Sequence, residues 1–293
     1  MILLVRDEAD IIADNIRFHL AQGVDFVVAI DNGSVDGTRD ILQDFERSGV
    51  ARVFDEPGRN YDQTKWVTRA AQYARDELAA DWLFSNDADE FWTVPGGTIR
   101  DMLHDCSARL LTCNRLNMVY PWDAPGNADW RRRLICRVAR PVPRPKITDI
   151  YGDMLGCPYF YLALPPKVMM QARGLKTIAQ GNHAATYETA VEPVASPVEI
   201  FHYPVRSARQ FEKKVVQGGQ AYLANPGFPE MFGWHWRRWY RAFQTHGIDA
   251  PLRDALPSKA ALDEDLRTGT AVVDRRFAEL FGSIPGLSGT ERA

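Results

Sequence analysis

The strongest constraint on this chain is an order. Four short apolar runs, Ile2–Val5, Phe26–Ile30, Ala51–Phe54 and Trp82–Phe84, alternate with segments patterned as helices, Asp10–Gln22, Thr38–Ser48 and Lys65–Leu78. In the first of these segments Ile11, Ile12, Ile16 and Leu20 recur at near-helical spacing and Gly23 ends the pattern. Phe26–Ile30 is apolar throughout, as a strand covered on both faces must be. Repeated strand–helix–strand order predicts a mostly parallel sheet flanked by helices, and ligands of such sheets sit at the carboxyl ends of the strands. The connections there, 31–38 and 85–92, are rich in Asp and Asn.

Beyond Thr93 the pattern loosens. Leu110–Tyr120 and Leu134–Val138 read as strands, 141–145 as a Pro-rich break, and Ala208–Leu223 and Met231–Thr245 as helices. The last twenty residues read as a loose tail. A core domain over 1–206 with a helical C-terminal extension over 207–293 is the division this implies. With 35 Lys and Arg against 38 Asp and Glu, the net charge of −3 argues against a nucleic-acid partner. Cys106, Cys113, Cys136 and Cys157 form no CxxC pair, so a disulfide framework or zinc ribbon is not expected. No apolar run nears a membrane span, and MILLVRDEAD turns acidic too soon for a signal peptide. A cytoplasmic protein is the expectation.

Two acidic loops carry the chemistry. In Asn86-Asp87-Ala88-Asp89-Glu90, three carboxylates fall within four positions straight after a strand. Such crowding is unfavourable unless a cation joins it, and oxygen ligands suit Mn²⁺ or Mg²⁺. The plainer reading is an acidic turn that caps the next segment. In Asp31-Asn32-Gly33-Ser34-Val35-Asp36-Gly37-Thr38 the glycines permit tight turns, Asp36 or Thr38 can cap the following helix, and Asp31 or Asn32 could meet the imide edge of a uracil. The plainer reading here is an ordinary strand–turn–helix connection. Lys65 and Arg69, one helical turn apart, either meet a diphosphate or form a solvated face.

Taken together, Val5-Arg6-Asp7-Glu8, the DNGSVDGT loop and DWLFSNDADEFW resemble the family 2 glycosyltransferases of GT-A fold. The likeness is to a bacterial branch with a DNGSxDGT…DADEF pattern, distantly like family 92. It covers about the first hundred residues and continues more weakly through Gly181-Asn182-His183 and Phe201–Ser207. It implies a Rossmann-like catalytic domain, a nucleotide-sugar donor (usually a UDP-sugar), a divalent metal, and a glycan, lipid-linked or other hydroxyl acceptor. By position, Asp31 and Asn32 would contact the base, with Arg6 and Glu8 in the same pocket. Asp87 would face the ribose or join the metal site, directly or through a metal-bound water, and Asp89 would ligate the metal. Asn32 stands where a second Asp is frequent, which leaves the base open.

Many GT-A enzymes complete the metal shell with a late histidine, here His202 or alternatively His183. His183 also falls where inverting relatives keep a general base, and Asp149, Asp153 and Glu188 are rivals for that role. His19, His104, His235 and His246 read as structural. Trp234, Trp236, Trp239 and Tyr240 share one C-terminal segment with Arg237, Arg238 and Arg241. Core packing of the rings is the favoured reading, and acceptor stacking or peripheral contact with the inner face of a membrane is the other. A metal-dependent, inverting glycosyltransferase of polysaccharide biosynthesis is the expectation. Three readings compete with it: a nucleotide-sugar-binding protein without turnover, a metal-dependent phosphoester hydrolase, and an interaction module built on the Trp-rich helix, which explains none of the acidic loops. The sequence leaves the oligomeric state open.

Overall fold

In a computed structural model of the chain, residues 1–58, 62–124, 129–225, 227 and 229–287 are described. In order they form β1 (Ile2–Val5), α1 (Ile12–Ala21), β2 (Val27–Asp31), α2 (Thr38–Arg47), β3 (Ala51–Asp55), α3 (Gln63–Glu77), β4 (Trp82–Leu83), β5 (Ser85–Asn86) and β6 (Glu90–Thr93). Then come α4 (Ile99–His104), β7 (Leu110–Val119), α5 (Trp130–Arg133), β8 (Cys136–Val138), β9 (Lys167–Gln171), β10 (Leu175–Ile178), β11 (Ala185–Tyr187) and β12 (Val194–His202). The C-terminal elements are α6 (Ala208–Leu223), α7 (Trp234–His246), α8 (Asp249–Ala255), α9 (Lys259–Thr268), β13 (Ala271–Val273) and α10 (Arg276–Ser283). Contacts divide the chain into two compact units, residues 1–115, 165–202 and 281–293, and residues 116–164 and 203–280.

The first unit is a Rossmann-like α/β structure. Its parallel sheet has the order β3-β2-β1-β5. All five residues of β2 are buried, as its unbroken apolar run requires. Trp66, Val67, Ala70, Ala71 and Ala74 of α3 pack with Ile2, Val28 and Ile30 of the sheet. The fourth apolar run is not one strand. Trp82 and Leu83 pair antiparallel with Gln171 and Met170, whereas Ser85 and Asn86 pair parallel with Ile2 and Leu3. Phe84 is the switch between partners; apolar patterning shows that a residue is buried, not which strand it pairs with. Antiparallel pairs β6–β12 and β7–β9 extend this unit.

In the second unit α7 begins at Trp234, three residues later than the periodicity predicts. Gly233 has φ +63°, a conformation that cannot continue a right-handed helix. Trp239 is buried against Tyr159, Phe160 and Phe211, and its indole N–H donates to Asp254 at 2.8 Å. Of the last twenty residues, Arg276–Ser283 form α10 and not a loose tail, while 288–293 lie outside the described residues. Within the second unit Phe277 packs on Tyr203 and Trp130, and within the first Phe281 packs on Phe18 and Phe91.

The approach of α6 to α7 depends on a glycine pair. A Cβ on Gly219 would lie 2.2 Å from Tyr240 Cβ, and one on Gly218 would lie 2.7 Å from the Trp236 ring. Gly219→Ala is therefore expected to destabilise the protein by about 1–3 kcal/mol in urea unfolding through overpacking. Gly282→Ala, with no atom within 4 Å of the added carbon, should leave stability unchanged or slightly raised.

Candidate active site

The order β3-β2-β1-β5 reverses direction at β1, so the topological switch point lies between β1 and β5. Ligands of open α/β sheets bind in the crevice outside such a point. The segments leaving the sheet there are Arg6-Asp7-Glu8 after β1 and Asp87-Ala88-Asp89 after β5.

The first of these is sewn to the 31–38 loop. Asp7 N donates to Ser34 Oγ (3.0 Å), Glu8 N to Thr38 Oγ1 (2.8 Å), Ala9 N to Asp36 Oδ2 (3.3 Å) and Val35 N to Asp7 Oδ1 (2.7 Å). Asp7 holds φ +56°, which its short polar side chain tolerates better than most. Asp31 is buried. One of its carboxylate oxygens accepts from Ser34 N (3.1 Å), and the other pairs with Arg39 (3.3 Å). Asn32 donates both amide hydrogens within its own unit, to the carbonyls of Glu56 and Gly58 at 2.7 Å each. Glu8 is buried, and Arg6 is half-exposed with Nε 3.8 Å from Asp7. Lys65 is exposed on α3, and Arg69 pairs with Glu56 at 3.1 Å.

The acidic turn is clamped from behind by α1. Asn15 Nδ2 donates to the carbonyls of Ala88 (3.0 Å) and Glu90 (2.8 Å), and Asn15 Oδ1 accepts from Asn86 (3.0 Å). Asn86 Oδ1 accepts from the Trp92 indole (2.8 Å). Trp92 N donates to His19 Nε2 (3.2 Å), so His19 carries its proton on Nδ1 and donates it to the Asn15 carbonyl (2.8 Å). Burial holds the His19 imidazole down to about 3.

In front of the clamp the carboxylates meet cations from their own chain. Lys167, buried at the start of β9, places Nζ 2.6 Å from Asp87 Oδ2 and 2.6 Å from Glu90 Oε2. Arg115 Nη1 lies 3.3 Å from Glu90 Oε1. Burial dominates at Glu90 and pushes it up to about 7 despite the two cations. Desolvation works to raise Asp87, but the Lys167 ammonium outweighs it and holds the carboxyl below the usual range. Desolvation likewise works to lower Lys167, and Asp87 and Glu90 more than reverse it, so Lys167 stays charged.

Asp89 and His202 are brought together, with Oδ2 3.8 Å from Nε2 and both side chains nearly buried. His183 lies half-buried after the Gly181-Asn182 turn. Its Nδ1 bonds the Pro166 carbonyl at 2.9 Å, which leaves Nε2 as the lone-pair nitrogen. Burial, helped by Arg115 and Lys167, pushes His183 down to about 4. Asn182, buried at φ +58°, holds this turn in place by donating to the carbonyls of Ser85 (2.9 Å) and Val168 (2.8 Å). Asp153 belongs to the second unit. Hydrogen bonds from Asp149 N and from the N and Oγ1 of Thr148 hold its carboxyl below the usual range. Among the described residues no group of three or more His, Cys, Asp or Glu closes into a metal cage.

Sequence reasoning singled out neither Lys167, Arg115 nor Asn15. The only signal at Lys167 is a lysine between Pro165-Pro166 and the apolar Val168-Met169-Met170.

No family model matches this chain. No curated protein matches it. Among solved structures it is similar to S. aureus TarS 1–349 (13% identity, covering 97% of this chain and 80% of that one, TM-score 0.35). It is also similar to the same protein in complex with UDP-GlcNAc (12%, 97% and 80%, 0.36) and to mannosyltransferase PcManGT from Pyrobaculum calidifontis in complex with GDP-Man and Mn²⁺ (14%, 92% and 74%, 0.38). All three TM-scores lie below 0.5, and the functional reading rests on this chain's own residues.

The clamp has a pH signature. An unfolded imidazole takes its proton near 6.5, whereas His19 in the fold refuses it until about 3. The unfolded state therefore binds more protons as pH falls from 6.5, and stability is lost on acidification at up to about 1.4 kcal/mol per pH unit. Glu90 contributes the opposite slope between its unfolded value and about 7, equally in wild type and variant. His19→Gln should flatten the decline between pH 6.5 and 4 in denaturant titrations; an unchanged difference between the two proteins across that range contradicts this.

Proposed function

We propose that this chain is a glycosyltransferase that moves a sugar from a nucleotide-sugar, most simply a UDP-sugar, to a hydroxyl of a glycan or lipid-linked acceptor. The observation that supports it most is the placement of Asp87 and Asp89 at the switch point of a parallel sheet, opposite the Arg6–Glu8 segment. Asp89 and His202 offer one hard oxygen and one imidazole nitrogen, a set that suits Mn²⁺ and, less well, Mg²⁺. With only two protein donors, the remaining ligands would be donor phosphate oxygens and water. When bound, the metal would offset the charge that develops on the leaving diphosphate.

The protein's own groups then have these roles. Arg6, Glu8, Asp31 and Asn32 border the nucleoside, with Asp31 and Asn32 shaping the wall through the loop bonds they make rather than by free edges. Asp87 lies on the ribose side and Lys65 at the outer diphosphate. The acceptor oxygen bonds to the anomeric carbon, the bond from that carbon to the diphosphate breaks, and UDP departs with the electron pair. The acceptor proton goes to His183 Nε2, whose lone pair is fixed by the Pro166 bond. Asp153, another candidate for the base in the sequence, lies in the second unit, where three hydrogen bonds stabilise its charged form. Displacement of this kind inverts the anomeric centre.

Asp89→Asn is expected to abolish manganese-dependent UDP binding in titration calorimetry with the melting transition retained. His202→Ala should raise the manganese needed for half-maximal rate, with partial rescue at excess metal. If Asp89→Asn binds UDP with manganese as wild type does, the metal is held elsewhere.

The base makes a separate prediction. His183→Ala should lower turnover by ~10²–10⁴-fold at saturating metal with donor affinity intact. Since His183 is held down to about 4, the acid limb of kcat/KM should fall near pH 4 rather than 6.5. A limb at 6.5, or full activity in His183→Ala, would assign the proton to another group.

A further inference from the structure

Lysine is almost never fully buried unless paired, and an unpaired buried ammonium is strongly unfavourable. Lys167 is 1% exposed, and its ammonium sits at 2.6 Å from a carboxylate oxygen on each side, Asp87 Oδ2 and Glu90 Oε2. Two carboxylates converging on one point are the arrangement that an acidic turn otherwise offers to a divalent ion. Here the point is filled from β9, a strand that the turn does not belong to. Arg115 supports the same arrangement from the far oxygen of Glu90. Asp89 faces an imidazole, with Oδ2 3.8 Å from His202 Nε2.

We propose that Lys167 is a tethered cation. It occupies, from within the chain, the place between Asp87 and Glu90 that a metal ion would take, and it confines any divalent ion to Asp89 and His202. Lys167 is thus a positioning residue. It commits Asp87 to the protein, so Asp87 serves the donor as an oriented acceptor and not as a metal ligand. Only the Asp89–His202 arm of this inference rests on the reading of the chain as a metal-using transferase.

The test is titration of MnCl₂ into the full chain without nucleotide, followed by calorimetry and by the electron paramagnetic resonance of free Mn²⁺. Wild type and Lys167→Arg should bind at most one ion, and Asp87→Asn should bind it as wild type does. Removing the charge with Lys167→Met should create a new site, seen as a second ion or as binding tighter by about tenfold or more, and adding Asp87→Asn should abolish that gain. If Lys167→Met does not fold, Lys167→Gln makes the same comparison with a polar side chain. The proposal is overturned if the uncharged variants bind Mn²⁺ as wild type does, or if Asp87→Asn weakens wild-type binding by about tenfold or more. A wild type that binds no Mn²⁺ through Asp89 would sink the metal part of the proposed function, while the gain in Lys167→Met would still decide the role of Lys167.

Discussion

A carboxylate with no exposed surface must find a cation or take a proton, and Glu90 is such a carboxylate. Much of the first unit is arranged around that requirement. Glu90 opens β6 opposite His202 of β12, so its side chain cannot leave for solvent without breaking the ladder that also presents His202. Lys167 reaches it from β9 and Arg115 from β7, two strands paired with each other at Leu110–Cys113. Three strands of distant sequence are thereby tied to one turn. Desolvation still outweighs both cations and leaves Glu90 near 7, and Lys167 is kept protonated by the acids around it.

The clamp behind the turn answers a different constraint. A turn that projects carboxylates toward a ligand must have its backbone fixed, or the charges would separate and the geometry would be lost. Asn15 fixes it with two donated hydrogen bonds and one accepted, and the Asn86–Trp92–His19 chain closes the network. All four side chains are buried, so each polar atom left without a partner would carry a full desolvation penalty. The same need explains why His19 remains neutral. Its Nε2 must accept from Trp92 N, which a protonated ring cannot do.

Patterns that follow from burial alone were legible in the sequence. The unbroken run at Phe26–Ile30 is a strand covered on both faces, and Ala208–Leu223 is a helix with those bounds. Patterns that depend on a distant partner were not. Nothing in Trp82–Phe84 shows that the chain changes sheets there, and nothing near Pro165-Pro166-Lys167 shows that the lysine will meet residues eighty positions earlier. The C-terminal helix was missed for a related reason. Its two phenylalanines are ordinary as a pair and become informative only when Trp130, Tyr203, Phe18 and Phe91 are seen to receive them.

The two acidic loops read alike in sequence and differ in physics. In the 31–38 loop the carboxylates mainly satisfy backbone amides. Asp31 accepts from Ser34 N, Asp36 from Thr38 N and Ala9 N, and Asp7 from Val35 N, which fixes the path of the chain at the ends of β1 and β2. These are the bonds that Asp makes wherever a strand turns into a helix. In the 87–90 turn the carboxylates instead meet side-chain cations: Glu90 has no exposed surface and needs a counter-ion, and the half-exposed Asp87 shares the same ammonium. An Asp bonded to amides has its charge stabilised locally, and the arginines beside this loop, Arg39 at Asp31 and Arg6 at Asp7, add to that. Carboxylates crowded against a buried one need counter-ions, and the chain supplies two from within, Lys167 and Arg115. In the proposed function that difference leaves the Asp-Asn-Gly-Ser loop to shape the nucleoside wall and Asp89 with His202 to hold the metal.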